Sequence, residues 1–261
     1  MRLFLSLTIV ASVFLAIFAV NVSANHSWGN YHWARTSNPF TLQLGNNLSP
    51  AWSTYLSTTS TDWSTSTVLD TDVVAGQTNP KNCRATSGRV EVCNSKYGNN
   101  GWLGIAQIWI SGSHITQGVT KVNDTYFNRS PYNTTAWKNL VMCQEIGHTF
   151  GLNHQDEAFD NNNLNTCMDY TNNPETNQHP NKHDYDQLTT IYSHLDSFTS
   201  IQNGTQKLPL GQSISQAITN SDFGNRSDWG RELKNNGYIA KYERDFGNGN
   251  KLLTTIILAQ E

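Results

Sequence analysis

Gln144, Glu145, His148, Gly151 and His154 lie in one short stretch, at the spacing Q-E-x-x-H-x-x-G-x-x-H. On a helix, positions 144 and 148 are one turn apart and share a face, so two donor side chains there can grip one cation. Gly151 lets the chain leave the helix, and residue 154 then approaches the same point from another direction. Three protein donors with a fourth position left for water is the arrangement of a catalytic zinc site. Glu145, next to the first donor, can take a proton from that water as general base.

These side chains need a helix, a turn and a scaffold, and the flanking sequence supplies all three. Trp137, Val141, Gln144 and His148 recur at helical spacing, which predicts a helix from about Thr134 to Gly151. A second helix is expected from Asp184, where Asp184 and Gln187 fit a capping box. Tyr185, Leu188, Ile191, Tyr192 and Leu195 form its apolar stripe. Between the two helices, 161–181 reads as loop. Upstream, Phe40, Leu42 and Leu44 alternate as in a strand. Ser49-Pro50 looks like an N-cap with Pro at the first helical position, and Trp52, Leu56 and Trp63 follow it at helical spacing. Further strands are expected at Val68–Val74, Arg89–Val92, Leu103–Ile110 and Ile115–Val122. Past Ser200, Tyr238, Ala240 and Tyr242 alternate, Gly247-Asn248-Gly249 makes a turn, and Leu252–Leu258 is apolar, which reads as a β-hairpin. The fold class is therefore α+β.

Composition narrows the function classes. The chain has 261 residues with 17 basic and 20 acidic side chains, a net charge of −3, and 14% charged residues in all. Soluble domains typically carry about 25%. No basic excess serves nucleic acid, and no series of long apolar runs serves a multi-span membrane protein. With 8 Trp, 10 Tyr and 10 Phe there is ample core material. The missing charge is replaced by Asn, Ser, Thr and Gly, which fits secretion. Met1-Arg2, the apolar run Leu3–Val20 and the small residues of Val22-Ser23-Ala24 read as a signal peptide over 1–24, with no stable membrane insertion after cleavage. Cys83, Cys93, Cys143 and Cys167 are then disulfide candidates. Three connectivities are open, and the short-range one, Cys83 with Cys93 and Cys143 with Cys167, is expected.

The long motif resembles that of the metzincin clan of zinc metallopeptidases, H-E-x-x-H-x-x-G-x-x-H followed by a Met-turn. Thr166-Cys167-Met168-Asp169-Tyr170 looks like that turn, with Met168 as the apolar floor under the metal. The helix near Asp184 is similar to the last helix of a matrixin-like catalytic domain, and Ile105–Asn123 to the strand, loop and edge strand that line the cleft. The resemblance spans about 38–196. It implies a metzincin-like zincin fold, a twisted mixed β-sheet with active-site helix, Met-turn and C-terminal helix, plus the hairpin extension. It divides the chain into a leader (1–24), a peptidase domain (25–200) and a C-terminal β-rich extension (201–261).

The implied activity is that of a secreted, extracellular, monomeric zinc metalloendopeptidase acting on a protein or peptide, with Glu145 as base and Gln144, His148 and His154 on Zn2+. The peptide would lie along Ile115–Val122 as an added strand. A Cys143–Cys167 bond would tie the active-site helix to the Met-turn. Tyr170 reads as a packed aromatic, with oxyanion assistance as the alternative. The scarcity of Lys and Arg between His154 and Asp184 predicts a neutral-to-acidic cleft rim. The departure from the clan pattern is Gln144, where the clan has His, and an amide oxygen binds zinc more weakly than imidazole. Three arrangements follow: Gln144 ligates through its oxygen; zinc sits on His148, His154 and a substitute such as Asp156; or the metal is lost and the chain is a secreted binding protein that keeps the fold.

Overall fold

Strand β1 is His32–Trp33, β2 Phe40–Asn47, β3 Leu69–Ala75, β4 Val90–Ser95, β5 Trp102–Ser111, β6 His114–Asn123, β7 Arg231–Asn235, β8 Ile239–Gly247 and β9 Asn250–Leu258. The helices are α1 (Pro50–Trp63), the single turn α2 (Asp124–Phe127), α3 (Thr135–Thr149) and α4 (Lys182–Ile191). This computed structural model describes residues 26–202 and 224–260. The expected leader, 1–24, lies outside them. Among the described residues no helix is long and apolar enough to cross a membrane.

The strands form one mixed sheet in the order β3-β2-β4-β6-β5-β9-β8-β7. β2, β3, β4 and β6 run parallel, while β5, β9, β8 and β7 are antiparallel to their neighbours. β1 pairs with β6 at His114 and Ile115, beyond the stretch of β6 that β4 covers. Helix α3 crosses β5 and β6 and packs on α1. The core between them holds Trp33, Leu42, Leu44, Trp52, Leu56, Trp63, Val141, Ile146 and Phe150.

The helices begin for identifiable reasons. Thr134 accepts a hydrogen bond from Trp137 N–H and so caps α3. Ser49 and Pro50 open α1, although Ser49 makes no side-chain cap bond there. The capping box of α4 is one turn earlier than the sequence pattern placed it: Asn181 is the cap and Asp184 the reciprocal partner. That helix also ends at Ile191, so Leu195 is exposed rather than part of the stripe.

Ile115–Val122 is not an edge. β6 is flanked by β5 on one side and by β1 and then β4 on the other, and is almost wholly buried. The strand that would otherwise be the sheet's edge at this point is β5, and β9 from the C-terminal region pairs along it from Trp102 to Ser111. The hairpin β8–β9 thus continues the main sheet. Both short-range disulfides are present, Cys83–Cys93 and Cys143–Cys167.

Candidate metal centre

The last two turns of α3 carry Gln144, Glu145 and His148, all buried. Helix α3 ends at Thr149, and the chain turns away at Gly151, whose φ of +92° suits glycine, and where any β-carbon would meet the Tyr31 carbonyl oxygen at 2.2 Å. The exit is clamped on both sides: Trp33 Nε1–H donates to Thr149 O at 2.9 Å and the Tyr192 hydroxyl to Phe150 O at 2.8 Å. The chain then brings His154 back against His148.

The two imidazoles meet through their Nε2 atoms, 2.9 Å apart, with rings edge to face. Their other nitrogens are committed. His148 Nδ1–H donates to the Leu152 carbonyl at 2.9 Å, and His154 Nδ1–H donates to Glu157 Oε1 at 3.4 Å. A carbonyl and a carboxylate can only accept, so each Nε2 presents a lone pair. Burial holds both rings neutral: it pushes His148 well below the usual imidazole range and His154 down to about 4.

Glu145 is 0% exposed, and neither carboxyl oxygen has a hydrogen-bond partner of good geometry. Burial pushes its pKa well above the usual carboxylate range, with the Ile257 backbone as the opposing influence. Gly104 of β5 lies over it, since a β-carbon there would meet Glu145 Oε1 at 2.7 Å. Gln144 donates its amide N–H to Cys167 O at 2.7 Å, which leaves the side-chain oxygen as its remaining donor atom. Met168 is fully buried and its sulfur faces α3 at Gly147, beside Trp63. Tyr170 packs its ring on His154 at 4.3 Å between centroids, and its buried hydroxyl has no hydrogen-bond partner.

Asp156 is occupied locally, accepting from Ala158 N–H and Asn161. Its neighbour Glu157 is the carboxylate that reaches the histidines. Glu157 is held well below the usual range first by its hydrogen bond with His154, then by Lys234 and Lys241. No spacing in the motif pointed to Glu157, because its partners come from the C-terminal region. His179 is loop-anchoring, bonded to Asp62 at 2.7 Å.

The same region covers the site. Lys241 Nζ donates to Glu157 at 2.5 Å and to Asn153 at 2.7 Å, Lys234 also pairs with Glu157, and Tyr238 stacks on Phe159 at 3.9 Å. Ile257 of β9 pairs with Gly104 directly beside Glu145. A small apolar cavity lined by Leu103, Leu140, Gln144, Tyr170 and Ile257 is enclosed there. The rim is therefore not simply neutral-to-acidic, since β7 and β8 add two lysines to it.

No family model and no curated protein matches this chain. Three solved structures overlap it loosely. Two are of myroilysin, at 11% identity and TM-score 0.35 over 62% of this chain and 96% of that one, and at 12% identity and TM-score 0.33 over 62% and 86%. The third is high choriolytic enzyme 1, a hatching enzyme zinc-protease from the medaka fish Oryzias latipes, at 14% identity and TM-score 0.33 over 62% and 94%.

Proposed function

We propose that this chain is a zinc-dependent metalloendopeptidase of metzincin type, secreted and extracellular, held closed by its own C-terminal hairpin. The observation that supports it is the facing pair of lone pairs on His148 and His154, 2.9 Å apart, beside a buried carboxylate whose oxygens have no hydrogen-bond partner of good geometry among the described residues. Two acceptors at that distance repel unless a cation lies between them, and two imidazoles fit zinc. Gln144 through its oxygen is the third ligand, and Met168 is the floor of the Met-turn beneath them. Zinc held there would act as a Lewis acid on a carbonyl oxygen and on water.

The rest falls to the chain's own side chains. Glu145 receives the proton of the attacking water as its oxygen bonds to the scissile carbonyl carbon. It then passes that proton to the amine nitrogen as the C–N bond breaks. The unpaired Tyr170 hydroxyl donates to the oxygen on which negative charge develops. Leu152 O and Glu157 fix the two rings in the tautomer that leaves Nε2 free. A peptide substrate must pair with β5 beside Gly104, where β9 now lies, so turnover requires β8–β9 to part from β5.

A second reading, a non-catalytic binding protein, draws on that same occupied strand. Purified full-length chain, its Glu145→Gln form and a Lys234→Ala/Lys241→Ala form separate the two. The peptidase reading expects bound zinc, chelator-sensitive cleavage of unfolded protein, and loss of cleavage in Glu145→Gln with zinc retained. Zinc-free protein without cleavage, also in the double lysine variant, would leave the binding reading.

A further inference from the structure

A second group of imidazoles lies on another face of the molecule, built from three separated segments. His32 comes from β1, His114 opens β6, and His194 and Asp196 follow α4. β1 and β6 pair so that His32 and His114 are direct neighbours. The segment after α4 is tied down by Asp196 N–H donating to Arg35 O at 2.9 Å and Ser200 N–H to Ala34 O at 2.9 Å.

All three rings direct Nε2 at one carboxyl oxygen. His114 Nε2 is 3.1 Å from Asp196 Oδ1, His32 Nε2 is 3.6 Å away and His194 Nε2 3.9 Å. His32 and His194 meet Nε2 to Nε2 at 3.1 Å. The rings of His32 and His114, and of His32 and His194, stand edge to face at 4.9 and 4.6 Å. Regular tetrahedral coordination with bonds of about 2.0 Å separates ligand atoms by about 3.3 Å. The three His–Asp196 separations and the His32–His194 separation, 3.1 to 3.9 Å, bracket that edge length, and the ligand atoms of His32, His114 and Asp196 lie within 4.8 Å of one another.

The outer contacts are those of a metal site. His32 Nδ1–H donates to the Asn30 carbonyl at 2.8 Å, so its Nε2 carries a lone pair and cannot donate to Asp196. Two acceptors, a carboxylate and a neutral imidazole, therefore face each other with no proton between them. The far oxygen of Asp196 is held by Arg35, through its backbone N–H and Nη1 at 3.1 Å each. That fixes the carboxylate and turns Oδ1 toward the rings, where it accepts from His114 Nε2 at 3.1 Å. His32 is buried and His114 and Asp196 are half-buried, while a groove lined by Asn30, His32, Ser113, Gln187 and His194 gives solvent access. The nearby set of His26, His183 and Asp184 differs in offering two imidazoles where this one offers three, and its rings stack face to face, 22° from parallel; Asp184 Oδ2 accepts from Thr166 and Asn181 while Oδ1 faces His26 Nε2 at 3.6 Å.

We infer that His32, His114 and Asp196, whose ligand atoms lie within 4.8 Å of one another, bind a zinc ion, with His194 Nε2, 3.1 Å from His32 Nε2, closing the site as the fourth ligand, separate from the α3 centre. Three imidazoles and one carboxylate suit zinc over magnesium or calcium, which prefer all-oxygen shells. With four protein ligands no position is left for a substrate, so the ion is structural. It joins β1, the start of β6 and the segment following α4, adding to the strand pairing, backbone hydrogen bonds and Arg35–Asp196 ion pair that hold these pieces.

The test uses full-length protein stripped with a chelator and reloaded with zinc or cobalt(II). A His148→Ala/His154→Ala chain lacks the α3 centre whether or not that centre binds metal. It is expected to take up one zinc per chain and to show the strong visible bands of four-coordinate cobalt. Adding His194→Ala, a half-exposed side chain whose loss leaves the core intact, should weaken uptake at least ten-fold. In the native chain, His114→Ala/His194→Ala should lower the zinc count by one, which keeps the test decisive if the other variant does not fold. Folded His148→Ala/His154→Ala protein that takes up neither metal, or uptake unchanged by His194→Ala, overturns the assignment.

Discussion

Two pairs of imidazoles in this molecule meet Nε2 to Nε2, at 2.9 Å on α3 and at 3.1 Å between β1 and the segment after α4. Their surroundings differ in one chemically decisive way. At α3 the carboxylate, Glu145, is buried, and among the described residues neither oxygen has a hydrogen-bond partner of good geometry. In the β1 cluster the carboxylate, Asp196, is anchored by Arg35 and shared by three rings. An incomplete donor set beside an unanchored carboxylate suits hydrolysis, and a complete set around an anchored one suits cross-linking. On the proposed reading, what holds the carboxylate would direct the same side-chain chemistry to catalysis at one pair and to architecture at the other.

The sharpest way to break this contrast is to remove one member of each pair. His148→Ala is expected to lower peptide cleavage by about 10³-fold or more, since it removes both the metal and the centre's geometry. His114→Ala/His194→Ala is expected instead to lower the thermal midpoint while the α3 centre keeps its zinc, as read by metal analysis and calorimetry. Equal loss of α3 zinc in both variants would erase the distinction.

The disulfides probe the same division. Cys143–Cys167 spans 24 residues and Cys83–Cys93 spans 10. Chain-entropy arguments give about 3.5 and about 2.8 kcal/mol respectively. Urea unfolding of the Cys→Ser pairs should rank them in that order, and only the Cys143/Cys167 pair should also weaken zinc at α3. Gln144→His is a finer probe. It should tighten zinc at α3 about ten-fold, or about 1.4 kcal/mol, and equal affinity would place Gln144 off the metal. The smallest effect expected is from Lys234→Ala/Lys241→Ala. Partly exposed ion pairs contribute about 0–1 kcal/mol each, so cleavage should rise about two- to five-fold as β8 loosens from Glu157.

Much of this architecture was legible in the sequence because it depends on local periodicity. Trp137, Val141, Gln144 and His148 mark α3, and the four upstream strands fall within a few residues of their observed bounds. What was not legible depends on long-range pairing. Whether Ile115–Val122 is an edge or an interior strand is decided by β1 and β4 pairing on one side of it and β5 on the other. The α4 cap was ambiguous because Asn181/Asp184 and Asp184/Gln187 both fit the pattern, and Thr166 bonding to Asp184 favours the earlier one. His32, His114, His194 and Asp196 have no common spacing, since three segments bring them together. Glu157 likewise gains its role only when Lys234 and Lys241 arrive from β7 and β8.

The most direct test of catalysis at α3 compares zinc content and cleavage of an unfolded protein substrate in the native chain and Glu145→Gln. The account predicts bound zinc in both, chelator-sensitive cleavage in the native chain, and a fall of about 10²- to 10⁴-fold in the variant. Cleavage that survives Glu145→Gln unchanged would contradict it.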